Sequence, residues 1–224
     1  LSTEIGNARQ KRLTIDLNHN FSDQFAVRAG GLAQKSGVPG RDAVKDDRAG
    51  AFLSAQWKPN SAFKLSLDYY YMKFDGRPDW GVPFDARTRR PFTESGLGRD
   101  NYYGLVNRDF LKNDQHLGTL TAEWAVAPFL TLTAKLRASD TTVDYVAGKP
   151  GSPTLSNANP ALWTVPITGA SRYQTNKVLN GQVDATWKFN TLDFKHTLVT
   201  GFEAAQERVA IDSYTGLSVE CFPN

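Results

Sequence analysis

One cysteine, one methionine and no long apolar run are the scarcities that bound what this 224-residue chain can be. A lone Cys221 excludes a disulfide framework or a thiolate metal site made by this chain by itself. Its thiol either pairs with a cysteine outside this sequence or stays free. No stretch approaches the roughly 18 to 20 consecutive apolar residues of a membrane-spanning helix, which excludes a helical membrane protein. A membrane β-barrel survives that test, because its signal is alternation. Charge of one sign is also missing: 26 Lys+Arg stand against 23 Asp+Glu, interleaved in short groups, and no basic face suited to nucleic acid emerges. The chain opens at Leu1 without a methionine or a signal-like segment and stops at residues 221–224 without an obvious closing element, so it reads as a piece of a longer or processed polypeptide.

Catalytic signatures are equally sparse. There is no phosphate-cradling glycine loop, nucleophile elbow or zincin motif. Gly96-Leu97-Gly98 reads as a turn. His19, His116 and His196 are too far apart for metal spacing and read as rim or strand residues. Asp42, Asp46 and Asp47 lack the spacing and glycine of a calcium loop and read as a solvated acidic run. Glu203 and Glu207 share one strand face, but no sugar cleft accompanies them.

Period-two alternation is what the chain has in quantity. Leu13, Ile15 and Leu17 alternate with polar neighbours, as do Phe25, Val27 and Ala29, across a short turn at 21–23. A second hairpin runs through Ala51, Leu53, Ala55 and Trp57, turns at Pro59-Asn60, and returns through Phe63, Leu65, Leu67, Tyr69 and Tyr71. A third uses Leu120, Ala122, Trp124 and Val126, then Ala127-Pro128, then Leu130, Leu132, Ala134 and Leu136. A fourth uses Leu179, Val183, Ala185, Trp187 and Phe189, turns at Asn190-Thr191 and returns over 194–209. With 2–5 added, about nine strands are expected.

The hairpin turns are short, whereas the links between hairpins, at 32–48, 73–114 and 139–177, are long and hold most of the glycine and proline; short and long alternate without exception. Trp57, Phe63, Trp124, Phe129, Trp187 and Phe194 all lie at the short-turn end, the placement that a membrane interface selects for amphipathic rings. Tyr69 and Tyr71 lie one strand length away, where a second girdle belongs. One face is apolar; the other carries Arg28, Lys64, Asp68, Glu123, Lys135, Arg137, Asp184 and Lys188, which suits a wet or plugged lumen. A soluble antiparallel sandwich with carbohydrate-binding loops also alternates. Four hairpins with the same link alternation and one aromatic level favour an antiparallel transmembrane β-barrel.

The residues Arg12-Leu13-Thr14-Ile15-Asp16-Leu17-Asn18, the run 36–42, Leu67-Asp68-Tyr69-Tyr70-Tyr71, the run 77–83, Tyr102-Tyr103-Gly104-Leu105 and the run 195–203 occur in an order that resembles the TonB-dependent siderophore receptors of bacterial outer membranes, most closely the catecholate-type branch. The resemblance implies a 22-stranded barrel of which residues 1–224 supply the early wall, with the plug domain, the energy-coupling box and the later strands outside this sequence. It implies an outer-membrane receptor, not an enzyme, that binds a ferric siderophore at extracellular loops and imports it with TonB-derived energy. No resident cofactor is implied, since iron travels only as the siderophore complex. Partners implied are the siderophore, the inner-membrane TonB complex through the plug, and outer-membrane lipid and lipopolysaccharide. A bulky, often anionic chelate calls for cationic and stacking side chains, and the 73–114 loop offers Arg77, Trp80, Tyr102, Tyr103 and Arg108 as ligand contacts. The competing reading is that residues 79–83 fold the loop back on itself while its arginines pair with nearby acids or with lipopolysaccharide phosphates. An outer-membrane enzyme of the lipase type would need a nucleophile, a base and an acid at one level, and no such set can be assembled.

Overall fold

Side chains that alternate between an apolar and a polar environment satisfy both only across the two faces of a sheet. The computed structural model of the chain describes residues 1–223, with side chains through Cys221; Asn224, the last of the terminal residues, lies outside the described residues. Its strands are β1 (Ser2–Gly6), β2 (Gln10–Asn20), β3 (Phe25–Lys35), β4 (Gly37–Val38), β5 (Arg41–Asn60), β6 (Phe63–Gly76), β7 (Phe84–Asp85), β8 (Arg90–Pro91), β9 (Phe110–Ala127), β10 (Leu130–Pro150), β11 (Thr164–Thr191), β12 (Phe194–Asp212) and β13 (Glu220–Pro223). Two single-turn 3-10 helices, Phe92–Ser95 and Pro160–Leu162, interrupt the loops.

The wall follows the order β1-β2-β3-β5-β6-β9-β10-β11-β12, antiparallel throughout. These are the nine strands expected from the alternation. The sheet does not close on itself, and β1 and β12 form its two edges. Three small pieces decorate one end: β4 pairs with β5, β13 with the start of β11, and β7 with β8.

The register keeps the two faces apart. Val27, Ala55, Leu67, Leu120, Leu136, Gly181 and Ala204 are successive cross-strand partners along one apolar row. On the other face Asn18, Arg28, Ser54, Asp68, Thr119, Arg137 and Asn180 form the matching polar row. Polar groups there satisfy one another: Arg28 pairs with Asp16 at 2.6 Å, Lys64 with Glu123 at 2.5 Å, and the Ser54 hydroxyl donates to Asp68 at 2.5 Å. The apolar face has no such partners and stays exposed, with Leu17, Leu67, Leu136, Val183 and Phe202 uncovered. A sheet of this width is stable only if that face is covered, and hydrocarbon covers it.

Two expectations need correction. The hairpin turns lie one or two residues later than expected: β5 continues through Asn60, β9 through Ala127 and β11 through Thr191. At the first of these the Asn60 side chain accepts from the backbone N–H groups of Ala62 and Phe63, so Asn60 braces the turn from its last strand position. The long links are also less loop than expected. The 139–177 link is strand up to Pro150 and again from Thr164, and most of 32–48 belongs to β3 and β5. Above the apolar band both faces meet water, so the ladder continues while the hydrophobic alternation that reveals it stops. Short and long links do not alternate without exception either, since β1 and β2 join through a tight turn at the long-loop end, with Ala8 and Arg9 at positive φ.

Candidate functional site

Loop residues gather at the far end of β10 and β11 because that end has its own small apolar core. Phe92, Leu97 and Tyr103 from the 77–109 loop pack with Trp163, just before β11, and with Val165 and Ile167 at its start; Val82 and Leu105 complete the contact. Phe92 and Trp163 meet edge to face at 6.3 Å between ring centroids. Trp163 also donates its indole N–H to the Asn157 carbonyl at 2.7 Å, and the Tyr103 hydroxyl donates to the Gly98 carbonyl at 2.6 Å. Pro83 is fully buried, and Gly96 takes φ 109° to end the 3-10 turn, a conformation that favours glycine.

A polar network ties this core to the wall. Asp109, whose side chain is fully buried, accepts from the Gly148 N–H at 2.6 Å, the Leu105 N–H at 3.0 Å, Arg108 Nε at 2.9 Å and the Tyr102 hydroxyl at 3.1 Å. That is one carboxylate satisfied by four donors, one of them from β10. Gly148 is glycine for a local reason: a Cβ there would come within 2.7 Å of the Asp109 carboxylate and 2.8 Å of Gly104 Cα. Burial, the Asp109 charge and the hydrogen bond to it together push the Tyr102 hydroxyl well above its ordinary pKa, and burial raises Tyr103 as well.

A second clamp joins the β4–β5 region to the same loop. Arg41 grips Asp79 through two hydrogen bonds at 2.6 and 2.7 Å and donates to the Arg99 and Gly81 carbonyls. Burial works against the Asp79 carboxylate, but the Arg41 hydrogen bond, the Gly81 N–H and the Arg41 charge outweigh it and hold Asp79 below the usual carboxylate range.

Most of the expected contact residues are consumed inside this architecture. Arg77 donates to the Ala43 and Val106 carbonyls and lies over the Tyr102 ring at 6.0 Å. Tyr102 is half-buried, Tyr103 belongs to the apolar core, and Arg108 is held by Asp109 and lies 3.8 Å from Glu220. Trp80 alone of the five faces solvent, 47% exposed. Beside it in the loop, the β7–β8 ribbon presents Phe84, Arg87, Arg89 and Arg90, all exposed, and Arg99 is exposed nearby in sequence. Asp109, Arg41 and Trp163 were missed by sequence reasoning; the alternating Trp163, Val165 and Ile167 were the available sign that a strand begins there.

Other sequence candidates fall into place. Trp57 and Phe63 meet at 6.3 Å, Phe63 is the cross-strand partner of Trp124, Phe129 stacks on Trp187 at 6.5 Å, and Phe194 lies on the same face beyond His196. Six to eight residues up the strand, from Phe63 to Tyr69 and Tyr71 and from Trp124 to His116, the apolar band ends, with Tyr69 Oη and His116 Nδ1 2.7 Å apart; at ~3.3 Å per residue and ~40° of tilt the separation is about 15–20 Å. His19 packs on Phe21 and His196 on Phe189. Asp46 pairs with Arg48, Asp47 accepts from the Ser36 N–H, and Glu203 and Glu207 accept from Asn180 and Asn176. No group of three or more metal-ligating side chains occurs among the described residues. Cys221 is exposed on β13, opposite Pro166, with a free thiol.

No protein-family model matches the chain. Individual relatives do. A probable TonB-dependent receptor of Bordetella pertussis, BfrD, is 32% identical over 94% of this chain and 28% of its own length. The catecholate siderophore receptor Fiu of Escherichia coli is 28% identical over 92% of the chain and 29% of its own length. The crystal structure of the ferric-catecholate import receptor Fiu superposes with a TM-score of 0.82, at 26% identity, over 92% of this chain and 33% of that one. The siderophore receptor PiuA of Acinetobacter baumannii superposes with a TM-score of 0.82 at 24% identity, covering 97% of this chain and 32% of that one, and so supports the fold. The chain thus spans under a third of the curated relatives it matches. By sequence and by fold, over nearly its whole length, it is a homologue of a wall segment of the TonB-dependent siderophore receptors, which are outer-membrane β-barrel proteins.

Proposed function

We propose that the chain forms part of the wall and outer loops of a receptor that binds a ferric siderophore and imports it with energy delivered by a TonB complex. The observation that carries this is the homology to named siderophore receptors along both the membrane band and the loop cluster. Binding followed by a gated change of conformation makes and breaks no bond, so the receptor is not an enzyme and needs no resident cofactor.

Within this reading the five nominated residues divide into two roles. Trp80, with the exposed arginines of the β7–β8 ribbon, meets the anionic, aromatic chelate. Arg77, Tyr102, Tyr103 and Arg108 hold the platform on which those groups stand. The six aromatic residues of the short-turn end form the inner-leaflet girdle. Growth under iron limitation tests the function: a deletion strain supplied with single purified siderophores should lose growth on at least one. Undiminished growth on every iron source would refute it.

A further inference from the structure

Trp80 stands half in water although the loop around it is buried. Val82, two residues on, packs against the loop core, and Pro83 after it is fully buried, yet Trp80 stays exposed. A large ring beside apolar surface gains by turning inward, so its place in solvent needs a backbone that holds it there. Both residues that flank Trp80 are held, and a single side chain holds them.

That side chain is Arg41. Its Nε and Nη2 donate to the two carboxylate oxygens of Asp79 at 2.6 and 2.7 Å, Nη2 also reaches the Gly81 carbonyl at 3.3 Å, and Nη1 donates to the Arg99 carbonyl at 2.6 Å. The same Asp79 carboxylate accepts from the Gly81 N–H at 2.9 Å, so Arg41, Asp79 and Gly81 close a ring of hydrogen bonds across the Trp80 backbone. Gly81 completes the turn at φ 83°; a Cβ there would meet nothing within 4 Å, so conformation and not space calls for glycine. Only a planar fork serves these acceptors together, and a lysine ammonium would not. Arg41 is itself fixed: it pairs with Val38 of β4, and the N–H of the next residue, Asp42, donates to the Asp100 carbonyl at 2.7 Å. The two charged side chains are only 14% and 22% exposed, so water competes weakly for them.

We propose that Arg41 is a positioning residue for chelate binding: through Asp79 and Gly81 it holds Trp80 out of the loop core as a rigid shelf on which an aromatic arm of a ferric chelate stacks. A ring already fixed in its binding position loses little freedom when the ligand arrives. The inference rests on the receptor reading above, and its first half, the fixing of Trp80 by Arg41, is measurable without any chelate.

The test uses the whole receptor in mild detergent, labelled with fluorotryptophan, and iron(III) tris-catecholate as the probe. The fluorine signal lost in Trp80→Phe is that of Trp80. In Arg41→Gln this signal, alone among the tryptophans, should narrow and move toward that of the free amino acid as the ring gains motion. Affinity for the tris-catecholate should fall about fivefold, as in Trp80→Ala, and the double variant should also lose about fivefold, not about twenty-five-fold. Arg41→Lys, which keeps the charge without the fork, should behave like Arg41→Gln. Lys177→Gln, at the exposed ion pair with Asp140 of β10, should change neither readout. Should Arg41→Gln loosen the whole loop, seen as faster exchange of the Gly148 amide, Asp79→Asn takes its place: it keeps the shape, loses the charge-assisted pair, and should give the same narrowing and the same non-additivity. An unchanged Trp80 signal, a narrowed signal with wild-type affinity, or losses that multiply in the double variant overturn the proposal while leaving the receptor reading intact. A wild-type receptor that binds no tris-catecholate also overturns the proposal, and growth under iron limitation then tells whether the receptor reading falls with it.

Discussion

Removing the Asp109 carboxylate should release the outer loop from the wall while leaving the barrel strands paired. Four donors converge on that side chain, and Asp109→Ala orphans the N–H groups of Leu105 and Gly148 and one donor of Arg108, while the Tyr102 hydroxyl keeps the Pro78 carbonyl at 3.2 Å. Breaking a buried charge pair costs roughly 3–5 kcal/mol. Arg108 keeps a fifth of its side-chain surface in water, so the lower end, about 3 kcal/mol, applies here. At about 1.4 kcal/mol per decade, the loop should open on the order of a hundredfold more often. Asp109→Asn keeps an acceptor of the same shape and should cost about half as much. Hydrogen exchange on the membrane-embedded receptor reads this directly: the Gly148 and Leu105 amides should exchange faster in the order Ala, then Asn, then wild type, while amides in the middle of β6 and β9 should not change. Exchange at Gly148 within about threefold of wild type in Asp109→Ala, or an Asn variant as loose as the Ala variant, would refute the hub.

Trp80→Ala should lower ferric-siderophore affinity about fivefold without altering loop exchange, whereas Tyr103→Ala should loosen the loop and lower affinity only through it; calorimetric titration beside exchange separates the two. Gly148→Ala should destabilise the loop by about 1–3 kcal/mol because its methyl meets Asp109 and Gly104, which a shifted proteolysis threshold would show. The raised pKa of Tyr102 means that the folded loop holds the phenol proton more tightly than the unfolded one. Its stabilisation is therefore complete below the ordinary phenol pKa of 10.0 and is lost as pH rises through the folded value, so loop proteolysis should accelerate above about pH 10, and Tyr102→Phe should remove that step. Leu120→Arg, mid-band on the apolar face, should cost about 2–4 kcal/mol, and Arg137→Leu on the polar face should cost much less; equal effects in unfolding titrations would reverse the assignment of faces.

Legibility in the sequence tracked the environment of each segment. Leu13 to Leu17 or Leu130 to Leu136 face lipid on one side and water on the other, so the pleat writes itself into every second residue. The run Ala43-Val44-Lys45-Asp46-Asp47-Arg48 is strand too, yet it stands above the hydrocarbon with only Val44 buried, and the pattern vanishes. Tyr102 and Tyr103 were recognisable as functional in type but not in role, because an aromatic residue in a loop reads the same whether it waits for a ligand or closes a core. Asp109 carried no signal, since one of its donors, the Gly148 amide, comes from a strand far away in sequence. Trp80 is exposed between Asp79 and Gly81, where the Asp79 side chain accepts from the Gly81 N–H at 2.9 Å and turns the chain, a contact that its choice as a stacking residue did not use.

Under the proposed function, the unusual length of β10 and β11 sets where a cargo would first feel this protein. From Ala138, level with the upper aromatic row, to Gly148, at the loop core, β10 climbs about ten residues, or roughly 25 Å at a ~40° tilt. The Debye length in physiological salt is about 8 Å, so the loop arginines stand about three screening lengths above the anionic bilayer. Under the proposed function, a negatively charged chelate would meet Arg89, beside Arg87 and Arg90 in their pairs with Asp85 and Glu94, where the repulsion of the cell surface has already decayed, and the ribbon would work as a mast that lifts its charge clear of the membrane's own field.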